Sequence, residues 1–349
     1  MPGLTELASG IDALYLSGHG SLSPSLLRAL AEHRAMAEQQ GASVPIAFGD
    51  GGWVVEPRGW LRYRYSLRHE HGQLGISDKE SLPPVRMQPL SEFMHGVGPA
   101  TALKWFEGQA AEAVPAVRVT AARMDVYADW QGWLPCAEDL DDFVRRASYS
   151  NTRASNGAWT GFDFGLRKSG TVMGRLYDKA RQVREEGKDW WPAVWGERYD
   201  PSRPVLRIEF ELGRKGLTEF GIDTATEALE KSAPVWASIT DKWLTHRVPT
   251  DDETRSRWPV SETWKQVQRP SFAANAVGLD RIRRGKNAGN LRMMTPALIG
   301  YVAKAGALLG TSTLEETLEV LHEHIWTACD VRGVTFEERL REKVREVAA

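Results

Sequence analysis

The stretch GRLYDKARQ, residues 174–182, places a tyrosine between two cations at a spacing suited to phosphate chemistry. In an extended strand, side chains alternate between the two faces, so Arg175, Tyr177 and Lys179 would share one face. A tyrosine that only fills a core does not need two cations beside it. A hydroxyl that attacks a phosphorus atom does, because cations stabilise the charge that develops on the phosphate oxygens. The spacing therefore predicts a catalytic face with Tyr177 as its nucleophile.

Two further strand-like segments, RMDVYAD and LRIEFEL, show the same alternation of charged and apolar side chains. Their charged faces carry Asp125, Asp129, Glu209 and Glu211, together with Arg123 and Arg207. Carboxylate oxygens are the ligands that Mg²⁺ and Mn²⁺ prefer. The planar guanidinium group of arginine can donate two hydrogen bonds to phosphate oxygens. We therefore predict a Mg²⁺ or Mn²⁺ site at the four carboxylates and DNA contacts at the two arginines. Metal and cations together would lower the pKa of the Tyr177 phenol.

The same pattern has a plainer explanation. Alternating charges on an open sheet face often form solvated cross-strand salt bridges, each worth a fraction of about 1 kcal/mol. For one strand alone that explanation is favoured. Three such strands in one region, one of them carrying a tyrosine, favour a functional site.

The succession RMDVYADW, GRLYDK and VLRIEFEL resembles the replication initiation factor family. Its members are trans-acting rolling-circle initiators of plasmids and phages, with related relaxases of integrative elements. The resemblance covers about residues 8–265 and is most specific at RLYDK and RIEFEL. It implies a sequence-specific DNA nickase-ligase whose tyrosine becomes joined to a 5′ phosphate and leaves a 3′-OH primer. At the positions that match the family's motifs, the resemblance implies that Tyr177 is the nucleophile. It also implies that Asp125 and Glu209 are the acidic residues of the metal site.

The implied partners are origin DNA, single-stranded or extruded as a hairpin beside duplex, and a host helicase. Two other functions remain open at this point. One is a catalytically inactive DNA-binding or copy-control protein on the same fold. The other is a metal-dependent phosphohydrolase that acts on small substrates. An SDS-stable adduct with DNA would be specific to the nickase.

Hydrophobic periodicity divides the chain into three regions. Residues 8–115 and 116–250 each show the order β-α-β-β-β-α, which predicts an α+β fold. In detail, we expect two tandem ferredoxin-like (split βαβ) halves with antiparallel sheets, the first docking DNA and the second catalytic. Residues 255–349 show no strand pattern and predict an α-helical C-terminal domain. Its last helix should begin at a capping box formed by Thr335 and Glu338.

Within the second half, the pattern predicts a helix over residues 135–148, with the acids of DLDDF in its first turn. It predicts a hairpin that turns at residues 168–170 and an ordered, tryptophan-rich loop over residues 185–202.

Two groups of cations are predicted to bind DNA away from the catalytic face. The segment GLDRIRRGKNAGNLR contributes Arg281, Arg283, Arg284 and Lys286. In the first half, Arg62 and Arg64 share a predicted strand face. Clustered cations suit phosphate contacts, although the first group is equally compatible with a solvated linker. The histidines of RHEHG and LHEHIW are predicted to be surface or partly packed residues, with a metal role for the first pair the less favoured alternative.

Composition limits the remaining possibilities. The 349 residues carry a net charge of −2, so any basic surface must be local. The two cysteines have no metal-type spacing, and the N-terminus has no signal-peptide pattern. The most apolar stretch, TPALIGYVAKAGALLG, is too short to span a bilayer. We therefore expect a soluble cytoplasmic protein with no membrane partner.

Overall fold

The computed structural model describes residues 3–276, 279, 291–331 and 335–348. The chain divides into two compact units, Met1–Arg281 and Ile282–Ala349. The first unit includes the described part of residues 255–281, which the sequence pattern had assigned to the helical domain. In that segment Trp264 and Val267 are fully buried.

An eleven-stranded sheet forms the framework of the first unit. Its strands are β1 (Thr5–His19), β2 (Val44–Pro45), β3 (Val54–Val55), β4 (Tyr65–His69), β5 (Gly72–Ile76), β6 (Val85–Pro89), β7 (Arg118–Gln131), β9 (Ser150–Ser155), β10 (Ala158–Phe164), β11 (Val172–Asp178) and β12 (Leu206–Gly213). A separate two-stranded sheet pairs β8 (Phe143–Arg145) with β13 (Leu244–His246). The long strands β1 and β7 pair at the centre of the main sheet.

The mixed α+β class is confirmed, but the tandem ferredoxin-like arrangement is not. The structure has one eleven-stranded sheet in place of a separate sheet for each half. Every pairing among the described strands is antiparallel. The two halves instead share a simpler order: β6, β5, β4 and β3 follow outward from β1, while β12, β11, β10 and β9 follow outward from β7. Short turns such as the one between β4 and β5 join antiparallel neighbours, which accounts for this order.

Helices cover the sheet. They are α1 (Pro24–Gln40), α2 (Ser91–Val97), α3 (Pro99–Ala113), α4 (Lys179–Glu186), α5 (Trp191–Trp195), α6 (Arg214–Glu219), α7 (Ala225–Lys242) and α8 (Glu262–Val267). The apolar side chains of the central strands, among them Met124, Val126, Ile208 and Phe210, are fully buried in the main core. Helices α3 and α7 contact β1, and α7 also contacts β7. One face of the sheet is therefore apolar because every second residue of these strands is apolar.

Two local predictions in the second half have different outcomes. The hairpin turn is confirmed, with Gly170 in the left-handed region at φ 64° between β10 and β11. The predicted helix over residues 135–148 is wrong. A 3-10 helix at Ala137–Asp142 is followed directly by strand β8. Asp139 does complement a helix start, since its Oδ2 accepts a hydrogen bond from the Cys136 N–H at 2.8 Å.

The tryptophan-rich loop is ordered, as predicted, and it contains the short helix α5. Trp191 and Trp195 of this helix are buried in a second, smaller apolar cluster with Tyr127 and Leu7. Tyr127 belongs to the charged face of β7, so this cluster lies on the side of the sheet opposite the main core. The loop therefore covers part of the face that the sequence predicted to be functional.

The second unit consists of helices α9 (Leu291–Leu309), α10 (Leu314–Val331) and α11 (Phe336–Ala348). The capping box at the start of α11 is confirmed: the Thr335 N–H donates to Glu338 Oε2 at 2.9 Å, and the Glu338 N–H donates to Thr335 Oγ1 at 3.1 Å. Within the described residues, none of the helices has the length and apolar character needed to cross a membrane.

Candidate functional site

Strands β7, β12 and β11 are neighbours in the sheet, and their register brings the predicted site together. Arg175 lies opposite Glu209, and Glu209 lies opposite Tyr127. Glu211 lies opposite Asp125 in the same way. Residues directly opposite each other in antiparallel strands point to the same face. The charged side chains of all three strands therefore share the face away from the main core.

This face has two parts with different surroundings. In the open part, Arg123, Arg175 and Tyr177 retain some exposure beside three nearly buried carboxylates, Asp125, Glu209 and Glu211. In the covered part, α5 lies over Tyr127, Asp129 and Arg207.

Tyr177 lies in the open part and is 9% exposed. Its hydroxyl donates a hydrogen bond to Glu209 Oε2 at 2.9 Å. Burial, and next the negative charge of Glu209, raise the pKa of Tyr177 well above its ordinary value. The expected lowering of the phenol pKa depends on a bound metal ion and remains a prediction. In the structure the hydroxyl is bonded to a carboxylate that can accept its proton.

Arginines bind all three carboxylates of the open part. Arg175 donates a hydrogen bond to Glu209 Oε1, and Arg123 donates two to Asp125. Glu211 accepts from Arg167 at 2.8 Å and lies 2.9 Å from Arg123 Nη2. Arg167 was not predicted from the sequence, because it lies in the turn between β10 and β11 and not on a strand face.

The pKa of Asp125 is raised to about 7. Burial is the largest cause, and the neighbouring charges of Glu209 and Glu211 act in the same direction. Arg123 opposes them without cancelling them. Asp125 therefore holds a proton more readily than an isolated carboxylate does.

The predicted metal site was compared with this geometry. The donors are the oxygen ligands that Mg²⁺ and Mn²⁺ prefer. Their oxygens, however, are bonded to guanidinium groups or, at Glu209 Oε2, to the Tyr177 hydroxyl. The described residues contain no group of three or more histidine, cysteine, aspartate or glutamate side chains arranged to hold a metal ion. In this arrangement the residues do not fit a bound metal, and the metal site remains a prediction.

Asp129 and Arg207 form a structural pair in the covered part. Arg207 donates through Nε and Nη2 to the two Asp129 oxygens, each at 2.7 Å, and both side chains are 0% exposed. Trp195 Nε1 donates to Asp129 at 2.8 Å, and the Arg207 guanidinium lies 4.1 Å from the Trp191 ring centroid. The structure thus does not bring Asp129 to the open carboxylates or Arg207 to a surface that DNA could reach.

Lys179 also departs from its predicted position. Strand β11 ends at Asp178, whose side chain accepts a hydrogen bond from the Arg181 N–H and caps α4. Lys179 is therefore the first helical residue and does not continue the strand face. It is 3% exposed, and its Nζ lies 4.7 Å from the Trp191 ring centroid. Burial, and next the charge of Arg207, lower its pKa to about 8.

Asp12 is a member of the covered part that the sequence did not suggest. Arg207 Nη1 lies 3.3 Å from its Oδ1, and the Ser91 hydroxyl donates to the same oxygen at 2.8 Å. Burial alone would raise the pKa of Asp12, but Arg207 and His95 hold it well below the ordinary value. The one sign of it in the sequence was an acidic residue within the apolar strand segment IDALYL.

A cleft of about 310 Å³ opens beside Tyr177. Arg153, Arg175 and Arg181 line it together with the tyrosine. Arg153 was also missed, because its strand, SNTRAS, is polar on both faces and shows no apolar alternation. The structure therefore adds two cations to the predicted surroundings of Tyr177.

The DNA-docking face predicted for the first half differs from the prediction. Arg62 and Arg64 are exposed but lie in the turn before β4, so they do not share a strand face. Arg86 is held between the rings of Tyr15 and Trp60, at 5.4 and 5.3 Å from their centroids. Aromatic side chains thus cover part of this face.

The remaining predicted residues lie elsewhere. The basic residues Arg281, Arg283, Arg284 and Lys286 lie outside the described residues. His69 and His71 belong to an aromatic cluster, in which the His71 ring stacks on Phe93 at 3.9 Å. His322 and His324 are exposed on α10. Among the residues that the structure describes, no group of three or more metal-ligating side chains includes these histidines.

Comparisons with known proteins identify a solved structure that is similar to this chain. No protein-family model matches the chain, and no curated protein matches it. Among solved structures, the chain is similar to a rolling circle replication initiator protein from Geobacillus stearothermophilus. The sequence identity is 14%, the match covers 80% of this chain and 100% of that chain, and the TM-score is 0.49. At this level the similarity does not show a family and does not assign a function.

Proposed function

We propose that this protein is a rolling-circle replication initiator that nicks and rejoins a DNA strand at an origin through Tyr177. The observation that carries the proposal is the hydrogen bond from the Tyr177 hydroxyl to Glu209, at 2.9 Å, beside a cleft lined by arginines. A nucleophile, a proton acceptor and cations for a phosphate thus lie together, as covalent phosphoryl transfer requires. The nucleophile and the proton acceptor come from the RLYDK and RIEFEL motifs, which resemble those of the replication initiation factor family.

In the proposed reaction, the Tyr177 oxygen attacks the phosphorus of a phosphodiester while Glu209 accepts the phenol proton. The bond from phosphorus to the 3′ oxygen breaks, and the 3′ oxygen takes a proton from water and leaves as a 3′-OH. The 5′ phosphate stays on the tyrosine. Rejoining reverses these steps, with the 3′-OH as the attacking group. Arg175, which bonds Glu209, is placed to shift toward the phosphate as charge develops on it.

A Mg²⁺ or Mn²⁺ ion remains part of this proposal. Bound at the acidic groups, it would polarise the phosphate oxygens as a Lewis acid. The available ligands are Asp125, Glu209 and Glu211. Each carboxylate would first have to give up its bond to an arginine before it could bind the ion. Loss of adduct in EDTA and its return with Mn²⁺ would support the ion, whereas an undiminished reaction in EDTA would remove it from the proposal.

The test uses the full chain, Mn²⁺ and a pool of random single-stranded oligonucleotides, because the origin sequence is unknown. We expect an SDS-stable protein–DNA adduct with the wild type and none with Tyr177→Phe, which removes only the hydroxyl. Tyr149→Phe, at an exposed tyrosine, is the matched control and should react like the wild type. An adduct that persists in Tyr177→Phe would contradict the assignment and point to Tyr127, Tyr149 or Tyr199.

Absence of an adduct from the wild type would favour the catalytically inactive alternative if DNA still binds. Turnover of small phosphate esters without an adduct would favour the phosphohydrolase. The origin, the adjoining duplex and a host helicase are the partners that the initiator proposal requires.

A further inference from the structure

Arg153 lies on β9, the last strand on the catalytic side of the described sheet. In the register of the sheet, Arg153 and Tyr177 both lie opposite Gly161 of the intervening strand β10. All three positions therefore form one row on the same face. The guanidinium carbon of Arg153 lies 5.8 Å from the Tyr177 ring centroid, so the arginine reaches across a whole strand toward the tyrosine.

The glycine between them makes this reach possible. A Cβ atom on Gly161 would lie 2.6 Å from Arg153 Nη2 and 2.7 Å from the Leu176 carbonyl oxygen. Both distances are far below van der Waals contact. Any side chain at position 161 would therefore push the Arg153 guanidinium away from Tyr177.

Two donor atoms of this guanidinium make no hydrogen bond within the described structure. Nε and Nη2 of Arg153 are buried and have no hydrogen-bond partner there, and the same is true of Arg175 Nε. Arg153 Nε does lie 3.2 Å from an oxygen of Asp163, but without hydrogen-bond geometry. Buried donors without acceptors are costly, so two converging arginines with free donors indicate that a ligand supplies the acceptors.

The acidic side chains around the cleft do not supply them. Glu185 accepts a hydrogen bond from Arg181 at 2.7 Å, Glu186 lies 2.7 Å from Lys188 Nζ, and Asp178 caps α4. These carboxylates are engaged with groups of their own helix or its end. The arginine donors that face Tyr177 thus remain available to an anion.

We infer that the cleft between Arg153 and Arg175 is a binding site for a phosphodiester of single-stranded DNA, held so that its phosphorus faces the Tyr177 hydroxyl. This inference rests on the proposed function, since it assigns the group that positions the substrate of that reaction. Arginine suits the role because its planar fork can bond two phosphate oxygens at once. A single strand is favoured because the cleft of about 310 Å³ is too small for a duplex.

The first experiment measures binding of a fluorescently labelled oligothymidylate over a range of salt concentrations. Arg153→Ala should weaken binding by roughly tenfold or more, the effect of losing a charged hydrogen bond. The slope of log K against log[salt] should shrink by about 0.7, the value for one contact to a single strand. Arg203→Ala, at an exposed arginine outside the cleft, is the control and should leave both quantities unchanged. Equal binding and equal slopes in the two variants would overturn the inference.

The second experiment guards against a folding defect. Arg153→Lys keeps the positive charge but loses the planar guanidinium that can bond two phosphate oxygens at once. The slope of log K against log[salt] should therefore remain, while the affinity falls several-fold. A slope that falls as far in Arg153→Lys as in Arg153→Ala would contradict the inference.

The two proposals fail in different ways. A wild-type protein that binds oligothymidylate through Arg153 but never forms an adduct would disprove nicking and leave the phosphodiester site standing. A wild-type protein that forms the adduct, while Arg153→Ala binds and reacts equally well, would disprove the site and leave the nicking function standing.

Discussion

At the level of single residues, the Tyr177 hydroxyl and the Glu209 carboxylate behave as a pair. The phenol is protonated because burial and the Glu209 charge raise its pKa, and the hydrogen bond of 2.9 Å points to the carboxylate that can take the proton. Activation of the nucleophile would therefore occur within the reaction and not before it. General-base assistance of this kind contributes roughly 10²- to 10⁴-fold in rate.

Replacing Glu209 with glutamine tests the pair. Gln keeps the shape but removes the negative charge, so adduct formation should fall by about 10²-fold or more while the pKa of Tyr177 decreases. Adduct yield and an ultraviolet titration of phenolate report the two effects, with the Tyr177→Phe titration subtracted to isolate one tyrosine. A phenol pKa that does not change would show that the hydrogen bond is absent in solution.

Lys179 makes stability depend on pH in a defined direction. Its pKa is about 8 in the folded protein, against an ordinary value of 10.5. Between these values the unfolded chain holds more protons, so the free energy of unfolding rises with pH. Below about pH 8 both states are protonated and the full cost of the buried charge is present.

Lys179→Met should therefore be more stable than the wild type at pH 7, by up to about 3 kcal/mol. The rise in stability of the wild type above pH 8 should be missing in the variant. Urea unfolding from pH 7 to pH 9.5 measures both effects and stays below the range where tyrosines ionise. Parallel profiles for the two proteins would contradict the lowered pKa.

At the level of elements, helix α5 converts one end of a charged sheet face into a buried cluster. The Arg207 guanidinium lies 4.1 Å from the ring centroids of both Tyr127 and Trp191. Asp129 and Asp12 balance its charge. A buried pair of this kind adds little net stability, although removing one partner costs several kcal/mol. The tryptophans of α5 exclude water from it.

Trp191→Ala should destabilise the first unit by about 3–5 kcal/mol, because Trp191 is 1% exposed and its loss opens a cavity above Arg207. Trp190→Ala is the matched control: this ring stacks on Trp191 at 4.6 Å but is only partly buried, and its removal should cost less than about 2 kcal/mol. Urea denaturation measures both. Equal losses would mean that α5 does not seal the cluster.

At the level of the whole molecule, every described residue of the candidate site lies in the unit Met1–Arg281. The basic run at residues 281–286 lies outside the described residues and is predicted from sequence alone to hold duplex phosphates. From the sequence we predict that substitutions in this run change duplex binding and leave adduct formation on single strands unchanged.

Changing Arg281, Arg283, Arg284 and Lys286 together to alanine should remove at most four duplex contacts. The slope of log K against log[salt] for duplex DNA should then shrink by up to about 3 to 4, at roughly 0.9 per contact. Adduct formation on single-stranded oligonucleotides should remain near the wild-type level. An unchanged slope would identify the run as a solvated linker, and a parallel loss of adduct would contradict the independence of the two regions.

The local patterns of the sequence predicted much of this protein. Alternation in RMDVYAD and LRIEFEL placed Asp125 and Glu209 on one face because a strand repeats every two residues, whatever surrounds it. The hairpin at Gly170 and the capping box at Thr335 were predicted for the same reason, since turns and caps depend on a few adjacent residues. The mixed α+β class followed from these elements.

Tertiary structure alone decided which charges are available. Asp129 and Asp125 are indistinguishable in a strand pattern, yet α5 covers the first and leaves the second in the open part. Arg153 becomes a neighbour of Tyr177 only through the pairing of β9, β10 and β11, across a glycine that makes room for it. Register between distant strands and the cover of a loop depend on packing over the whole unit. Local periodicity contains no information about either.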